Sequence, residues 1–562
     1  MADVWSGFRQ KMTAIGEVAG ALNRLRQNGI IDLSDLGGTL AVGKAAAVYG
    51  PQAAMAMHGA RKFGSLPAVV DERGTRTYQD VDDDSTRLAR GLQGLGIHQG
   101  SVVALLCRDH YGLIIAMAAC GKLGARLVLM NTGFAKPQFA QVCERESVEI
   151  VLHDSEFFGL LDALPADLPR VLTWLDEGAE CPAGVRTIDE VIAANSTEPL
   201  PAPTKPGGFV ILTSGTTGLP KGASRATTSP LATAQMVDRI PFPRKGTMVI
   251  VSPIFHSTGL GSYMLGAALG NKIVTTRRFS PEGTLKLIAD HRADMLVAVP
   301  TMLHRIVELG PDVIAKYDVS SLNTIMLAGS ALRPELSERI QDTFGDVLYN
   351  LYGSTECAVA TVATPAELRI APGTAGRSPV TCEVVLFDEN GRRVHGANKR
   401  GRIFVRSGSP FEGYTDGRNK QIIDGYMSSG DMGHFDEDGL LFVDGRDDDM
   451  IVSGGENVFP QEVENLLAER DDILDVAVVG VADTEFGQRL RAFVVAQPGA
   501  KPNSEEIKLF VKGNLARYKV PRDVVFIEEL PRNATGKVLR RVLVEREQPA
   551  AEHEEADLGE VE

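Results

Sequence analysis

The residues best able to do chemistry form a run of ten, Thr213-Ser214-Gly215-Thr216-Thr217-Gly218-Leu219-Pro220-Lys221-Gly222, directly after the apolar stretch 209–212. The apolar stretch reads as a buried strand. Glycines, hydroxyls and one cation past a strand end suit an anionic phosphate. Glycine lets the backbone approach closely, N–H and hydroxyl groups donate to the oxygens, and lysine adds a charge. The spacing is not that of the P-loop, because Lys221 stands three residues after Gly218 and is followed by glycine. A second cluster, Tyr352-Gly353-Ser354-Thr355-Glu356, follows Asn350. It joins a ring that can stack on a purine, hydroxyls that can meet phosphate, and a carboxylate that can hold Mg2+.

Further groups lie along the chain in a fixed order: His256 in Pro253-Ile254-Phe255-His256, Ala328-Gly329-Ser330-Ala331, Ser429-Gly430-Asp431, Arg446, Asp448, Gly454-Gly455-Glu456-Asn457, and Lys537 in Pro531-Arg532-Asn533-Ala534-Thr535-Gly536-Lys537. Taken singly, each has an ordinary structural reading as a polar turn, a backbone cap, a solvated acidic loop or a surface lysine. Their order and separation carry more than any one of them.

Together they resemble the signatures of the adenylate-forming superfamily: acyl- and aryl-CoA synthetases, peptide-synthetase adenylation domains and firefly-type luciferases. The resemblance spans roughly residues 67 to 540. It implies that Thr213 to Gly218 and Lys221 grip the phosphates of ATP, with Asn350, Gly353, Ser354 and Thr355 also in the nucleotide site. It places Tyr352, Gly329, Ser330 and Ala331 against adenine, and Asp431 and Arg446 on the ribose. Glu356 becomes the Mg2+ ligand, and Lys537 the cation that bridges carboxylate and α-phosphate. Asp448 takes the hinge position, Gly454, Gly455, Glu456 and Asn457 line the path of the CoA thiol arm, and His256 lies beside the substrate carboxylate.

The expected activity is that of an AMP-forming acyl-CoA synthetase using ATP, Mg2+ and CoA. Met236, His256, Gly259, Gly261, Thr301, Met302 and Leu303 are expected to line the acyl pocket. They are apolar or small, with the glycines leaving room and no carboxylate to pair an ammonium, whose burial unpaired is costly. The expected acid is therefore a medium- to long-chain fatty acid. Alternatives are a fatty acyl-AMP ligase, a carrier-protein-loading adenylation enzyme, and a non-catalytic acyl-adenylate-binding protein. Further candidate partners are a second copy of the chain, an anionic membrane surface, and a lysine acetyltransferase acting on Lys537.

The elements that must position these residues follow from periodicity. Short apolar runs at 102–107, 126–130, 149–153, 248–253, 295–299 and 324–327 alternate with helical segments such as 113–123 and 137–145, the pattern of parallel sheets covered by helices. Between 371 and 445 the texture turns to short strands with glycine turns, a β-rich subdomain. Past a boundary near 444–449 comes a small α+β pattern. The expected division is a helical extension at 1–66, an adenylation domain at 67–446, a mobile C-terminal domain at 447–546 and a disordered acidic tail at 547–562. Phe8, Met12, Ile15, Ala19 and Leu22 form an apolar stripe in a basic segment. Such a stripe suits a membrane surface or, the reading preferred here, packing on its own domain.

Composition bounds the rest. The 562 residues carry a net charge of −15, with 44% hydrophobic and 23% charged residues. A large globular protein fits, and a non-specific nucleic-acid binder, which needs a basic face, does not. Six cysteines without a C-x-x-C pair argue for a reducing, cytoplasmic setting over a disulfide framework.

Overall fold

The apolar runs become strands buried along their whole length: Val102–Leu106, Ile150–Asp154, Thr247–Ile250, Met295–Ala298 and Thr324–Leu327. Such uninterrupted burial is the mark of parallel sheets covered on both faces. The computed structural model describes residues 16, 18–213, 221–225, 229–408, 411–447, 449–453, 456–483, 487–533 and 536–546. The chain separates into a unit running to Val443 and a second holding Asp444–Asn533 with the segment from Lys537.

Two large sheets organise the first unit. One has seven strands in the order Arg186–Thr187, Arg170–Trp174, Ile150–Asp154, Val102–Leu106, Arg126–Leu129, Phe209–Thr213 and Lys221–Arg225. All its pairs are parallel except the last. The other has eight, in the order Thr361–Ala363, Leu348–Tyr352, Thr324–Leu327, Met295–Ala298, Thr247–Ile250, Lys272–Thr275, Pro67–Asp71 and Gly74–Thr77. It is parallel except at its two edges. The helix Tyr111–Leu123 is apolar on every side and is buried accordingly. Its Leu113, Ile114, Ile115 and Met117 are each 1% exposed, so truncating one of these large side chains to alanine costs about 2–5 kcal/mol.

Polar stacking also ties the two sheets together. Trp174, at the end of a strand of the seven-stranded sheet, lies 3.9 Å from the Arg73 guanidinium and 4.5 Å from that of Arg277, both from the eight-stranded sheet's connections. Arg277 pairs with Asp176 at 2.6 Å and with Glu156 at 3.1 Å. An antiparallel sheet containing Cys382–Phe387, Gly401–Ser407, Ile422–Ile423 and Tyr426–Phe435 follows, as its glycine-turn texture leads one to expect.

The N-terminal stripe differs from its sequence reading. Residues 1–15 and 17 lie outside the described residues, and with them Phe8, Met12 and Ile15. In the helical turns that follow, Ala19 and Leu22 are exposed, while Ala21 and Leu25 are buried at 0% and 2%. The ion pair of Arg24 with Asp238 at 2.6 Å and the hydrogen bond from Asn28 to the Val237 carbonyl turn that other face inward. No helix among the described residues is long and apolar enough to cross a membrane.

In the second unit the strands Ile473–Asp483 and Gly487–Ala496 pair antiparallel, and Asp523–Phe526 joins the latter in parallel. The helices Pro460–Ala468 and Ser504–Asn514 contribute Val463, Leu467, Ile507 and Val511 to its core. The residues from 547 on, expected as an acidic tail, lie outside the described residues.

Candidate active site

Four neighbouring strands of the eight-stranded sheet, Leu348–Tyr352, Thr324–Leu327, Met295–Ala298 and Thr247–Ile250, run the same way. The segments leaving their carboxyl ends therefore leave from one edge. Those segments carry Gly353 to Glu356, Gly329 to Ala331, Thr301 to Leu303, and His256. Open parallel sheets bind ligands in the crevice outside such an edge.

Glu356 is 7% exposed, and its Oε1 accepts a hydrogen bond from the Tyr414 hydroxyl. Burial alone would raise its carboxyl. Hydrogen bonds from Tyr414 and Ser354, with the charge of Lys420, outweigh burial and hold it below the ordinary carboxylate range. The backbone beneath is fixed twice. Arg225 donates to the Thr355 carbonyl at 2.6 Å and to that of Glu356 at 3.3 Å. The Ser354 hydroxyl accepts the Glu356 and Cys357 N–H groups. A Cβ on Gly353 would stand 1.9 Å from the Ala358 carbonyl oxygen, so only glycine fits that turn. An ionised, buried carboxylate in a rigid loop is a donor suited to a hard divalent cation.

Next to it, the Tyr352 hydroxyl donates to Asp431 Oδ2. Burial first and Asp431 second push that hydroxyl well above the ordinary phenol range, so it stays a donor. The two residues, distant in sequence, are thus brought together. Asn350 is buried and donates to the Thr374 carbonyl at 3.3 Å. Gly329 adopts φ +94°, and Ala331 is exposed past it.

The Phe209–Thr213 strand does not lead into a helix. It returns as the antiparallel strand Lys221–Arg225, with Thr213 paired to Lys221. Ser214, Gly215, Thr216, Thr217 and Gly218 lie outside the described residues. Lys221 Nζ stands 5.1 Å from the Tyr414 ring centroid, so one tyrosine touches this lysine with its ring and Glu356 with its hydroxyl. Gly222 is where Thr415 crosses. The Thr415 N–H donates to the Gly222 carbonyl at 2.8 Å, and a Cβ there would meet Thr415 Oγ1 at 2.6 Å. Thr415 is held in turn by the buried Glu146, which also binds Arg126 and Arg145.

At the other end of the edge, His256 precedes the helix Ser257–Ala268, with its ring 4.5 Å from that of Phe255. The two glycines expected to leave room behave differently. A Cβ on Gly261 would rest against the Met236 sulfur at 3.8 Å, an ordinary contact, so the position has room for one. On Gly259 it would collide with the Ser252 and Pro253 carbonyl oxygens at 2.5 and 2.4 Å. Gly259 therefore packs its own chain and opens no pocket. Leu303 is likewise fully buried in the core beneath the sheet, while Thr301 and Met302 are half-buried.

In the second unit Arg446 ends the strand Leu441–Arg446 and is exposed. The pair of Ser453 with Glu456 and that of Val452 with Asn457 form a tight hairpin. Gly454, Gly455 and the expected hinge Asp448 lie outside the described residues. Lys537 is carried on a closed turn: its N–H donates to Asn533 Oδ1 and its carbonyl accepts the Asn533 N–H, both at 2.9 Å.

Tyr414 and Arg225 were not singled out from the sequence. Their only signals are one of two aromatics in a charged loop, Phe411 and Tyr414, and a lone arginine ending a strand of small residues. A third buried group, Cys107 with His110 and Asp154, has its ligand atoms close together. Its hydrogen bonds are closed among its neighbours: His110 Nδ1 accepts the Gly112 N–H, and Asp154 is met by His110, Thr173 and the Arg108 N–H. It is a structural network and not a metal centre.

Residues 57–415 match the AMP-binding enzyme family, and residues 462–537 match the AMP-binding enzyme C-terminal domain. The chain belongs to this adenylate-forming family. It is 32% identical to the indoleacetate–CoA ligase of Aromatoleum aromaticum, covering 80% of this chain and 89% of that one. It is 30% identical to a fatty acid–acyl-carrier-protein ligase of Streptomyces coeruleorubidus, covering 86% and 93%. A solved anthranilate CoA ligase in complex with anthranoyl-AMP shares the fold, with a TM-score of 0.78 at 23% identity over 88% of this chain and 96% of that one.

Proposed function

We propose that this chain joins an apolar carboxylic acid to the thiol of CoA through an acyl-adenylate, with the acid a medium- to long-chain fatty acid. The coarser activity comes with the family: the protein is an ATP-dependent, AMP-forming acid–thiol ligase that works with ATP, Mg2+ and CoA. In the first half-reaction a substrate carboxylate oxygen attacks the α-phosphorus. The bond from that phosphorus to the bridging oxygen breaks, and pyrophosphate leaves with the electron pair. No proton need be removed from an ionised acid, so the work is positioning and charge stabilisation.

The residue roles proposed for this chain follow. Lys221, with the 214–220 segment, holds phosphate, while Asp431, oriented by Tyr352, accepts from the ribose. Mg2+, held by Glu356, would supply positive charge to the triphosphate. Lys537 meets charge developing between carboxylate and α-phosphate. In the second half-reaction the thiolate attacks the acyl carbonyl, the C–O bond to AMP breaks, and Glu456 and Asn457 border the thiol arm, with Asp448 as the hinge between the two arrangements.

The observation that carries the acid class is Gly261 beside the Met236 sulfur, where a Cβ has room and both groups are uncharged. A second reading, an aryl-acetic acid, is favoured by the similarity to the indoleacetate enzyme and by the paired rings of Phe255 and His256. Pyrophosphate release measured across straight-chain and aryl acids, with and without CoA, decides between them. Best turnover with long straight chains and CoA-thioester as product is the expected result. A preference for aryl acids would replace the fatty acid, and pyrophosphate release without CoA consumption would make a carrier protein or no thiol the acceptor.

A further inference from the structure

Asp109 lies between the Val102–Leu106 strand and the helix Tyr111–Leu123, and is 7% exposed. Among the described residues its one hydrogen-bond partner is the Ile254 N–H, which donates to Oδ1 at 3.0 Å. Buried carboxylates are ordinarily met by several donors or by a cation. Here the neighbouring Arg108 guanidinium is committed to Glu156 through Nε and Nη2. The bond crosses from the seven-stranded sheet to the loop leaving the Thr247–Ile250 strand of the other, the loop that ends in His256.

Apolar packing holds part of that loop, with Ile254 and Phe255 0% and 4% exposed in the core, and polar contacts fix the rest. Pro253 has no N–H, so Ile254 is the first residue past it able to donate. The Val251 and Ser252 N–H groups are both spent on the Val297 carbonyl, and the His256 N–H turns back to Pro253. Gly259 packs against the Ser252 and Pro253 carbonyls from the far side. Beside that packing, the carboxylate of Asp109 gives the loop a hydrogen bond from the opposite sheet.

We propose that Asp109 is a positioning residue for the acid end of the site: ionised, it holds the 253–256 loop firmly against incoming substrate, and protonated, it holds it less well. This rests on the reading that the loop borders the substrate carboxylate. Burial pushes the Asp109 carboxyl up to about 7; Arg108 opposes that rise, while Asp154 and Glu72 add to it. Arg277 lies against Asp154 at 3.6 Å and pairs with Glu156, and His256 is the titratable group of the tethered loop itself.

The test is the KM for the acid as a function of pH, with the KM for ATP as the internal comparison. In the wild type the acid KM should rise about five-fold between about pH 8 and pH 6, and the ATP KM by less than about two-fold. Asp109→Asn keeps an acceptor oxygen and cannot titrate, so its acid KM should be flat over that range. A flat wild-type profile, or a sloping one in Asp109→Asn, overturns the proposal.

Thermal melting gives a reading independent of catalysis. A carboxyl that binds its proton more tightly when folded contributes stability fully present below its unfolded range and lost as pH rises through about 7. The Tm of Asp109→Asn relative to wild type should therefore climb between about pH 5 and pH 8. A constant difference counts against the buried titration. His256→Ala separates the two levels. If it leaves the acid KM unchanged, the acid does not lie beside this loop and the role of Asp109 falls with that reading. If it raises KM while Asp109→Asn keeps the wild-type pH profile, only the role of Asp109 is wrong.

Discussion

The two ends of the sheet edge are built on different principles. After Leu348–Tyr352 the chain is cross-linked by side chains: Tyr352 to Asp431, Tyr414 to Glu356, Arg225 to two successive carbonyls. After Thr247–Ile250 it is shaped by backbone packing: a glycine against carbonyls, a glycine with room for a Cβ beside a methionine, and one buried carboxylate on one N–H. Charge must be met by particular donors at particular points, whereas an apolar group needs only a shape. The contrast explains why one end can be named from the sequence and the other cannot.

If charge governs the nucleotide end, its removal should give the largest effect. Lys537→Ala is expected to lower acid-dependent pyrophosphate release by about 10²–10³-fold, while thioester formation from supplied acyl-adenylate is spared. An equal fall in both half-reactions would break the assignment of Lys537 to the first.

The glycine pair sharpens the other side. Gly259→Ala must push a Cβ into two carbonyls and should cost about 1–3 kcal/mol, read as a lower Tm with no change in acid preference. Gly261→Leu instead adds a side chain where a Cβ has room, against the Met236 sulfur. It should lower kcat/KM for long acids about ten-fold relative to short ones, with the ATP KM unmoved. Similar behaviour of the two variants would mean that shape does not set the acid end.

The smallest effect comes from Tyr414→Phe. Removing its hydroxyl takes away a bond that holds the Glu356 carboxyl low, so that carboxyl should rise. The ionised form is lost as pH falls, so the acidic limb of kcat/KM should move to higher pH, with only a few-fold change on the plateau. An unmoved limb would show that Glu356 is not the group titrating there.

Strands with apolar runs are legible because both faces are covered: Thr324–Leu327 falls at its expected bounds, and others shift by one to three residues at one end or both. Periodicity told the N-terminal stripe's spacing but not its face. Ala21 and Leu25 share the helical spacing of Ala19 and Leu22, and the contacts with Val237 and Asp238 decide between them. Motif spacing singles out Glu356, Tyr352 and Asp431, and the structure joins the last two by a hydrogen bond. Spacing could not tell Gly259 from Gly261, since a missing side chain carries no sign of whether backbone or open space takes its place. Tyr414, Arg225 and Asp109 act through partners 58, 130 and 145 residues away. Only the topology of the two sheets reveals such partners.

That topology also supplies an optical gauge. Trp174 is one of two tryptophans in the chain, and it sits between guanidinium groups delivered by the opposite sheet. Its emission therefore depends on how far the ends of the two sheets stand apart. With the other tryptophan, Trp5, replaced by phenylalanine, fluorescence from one indole would follow the seam between the sheets alone, without an attached dye.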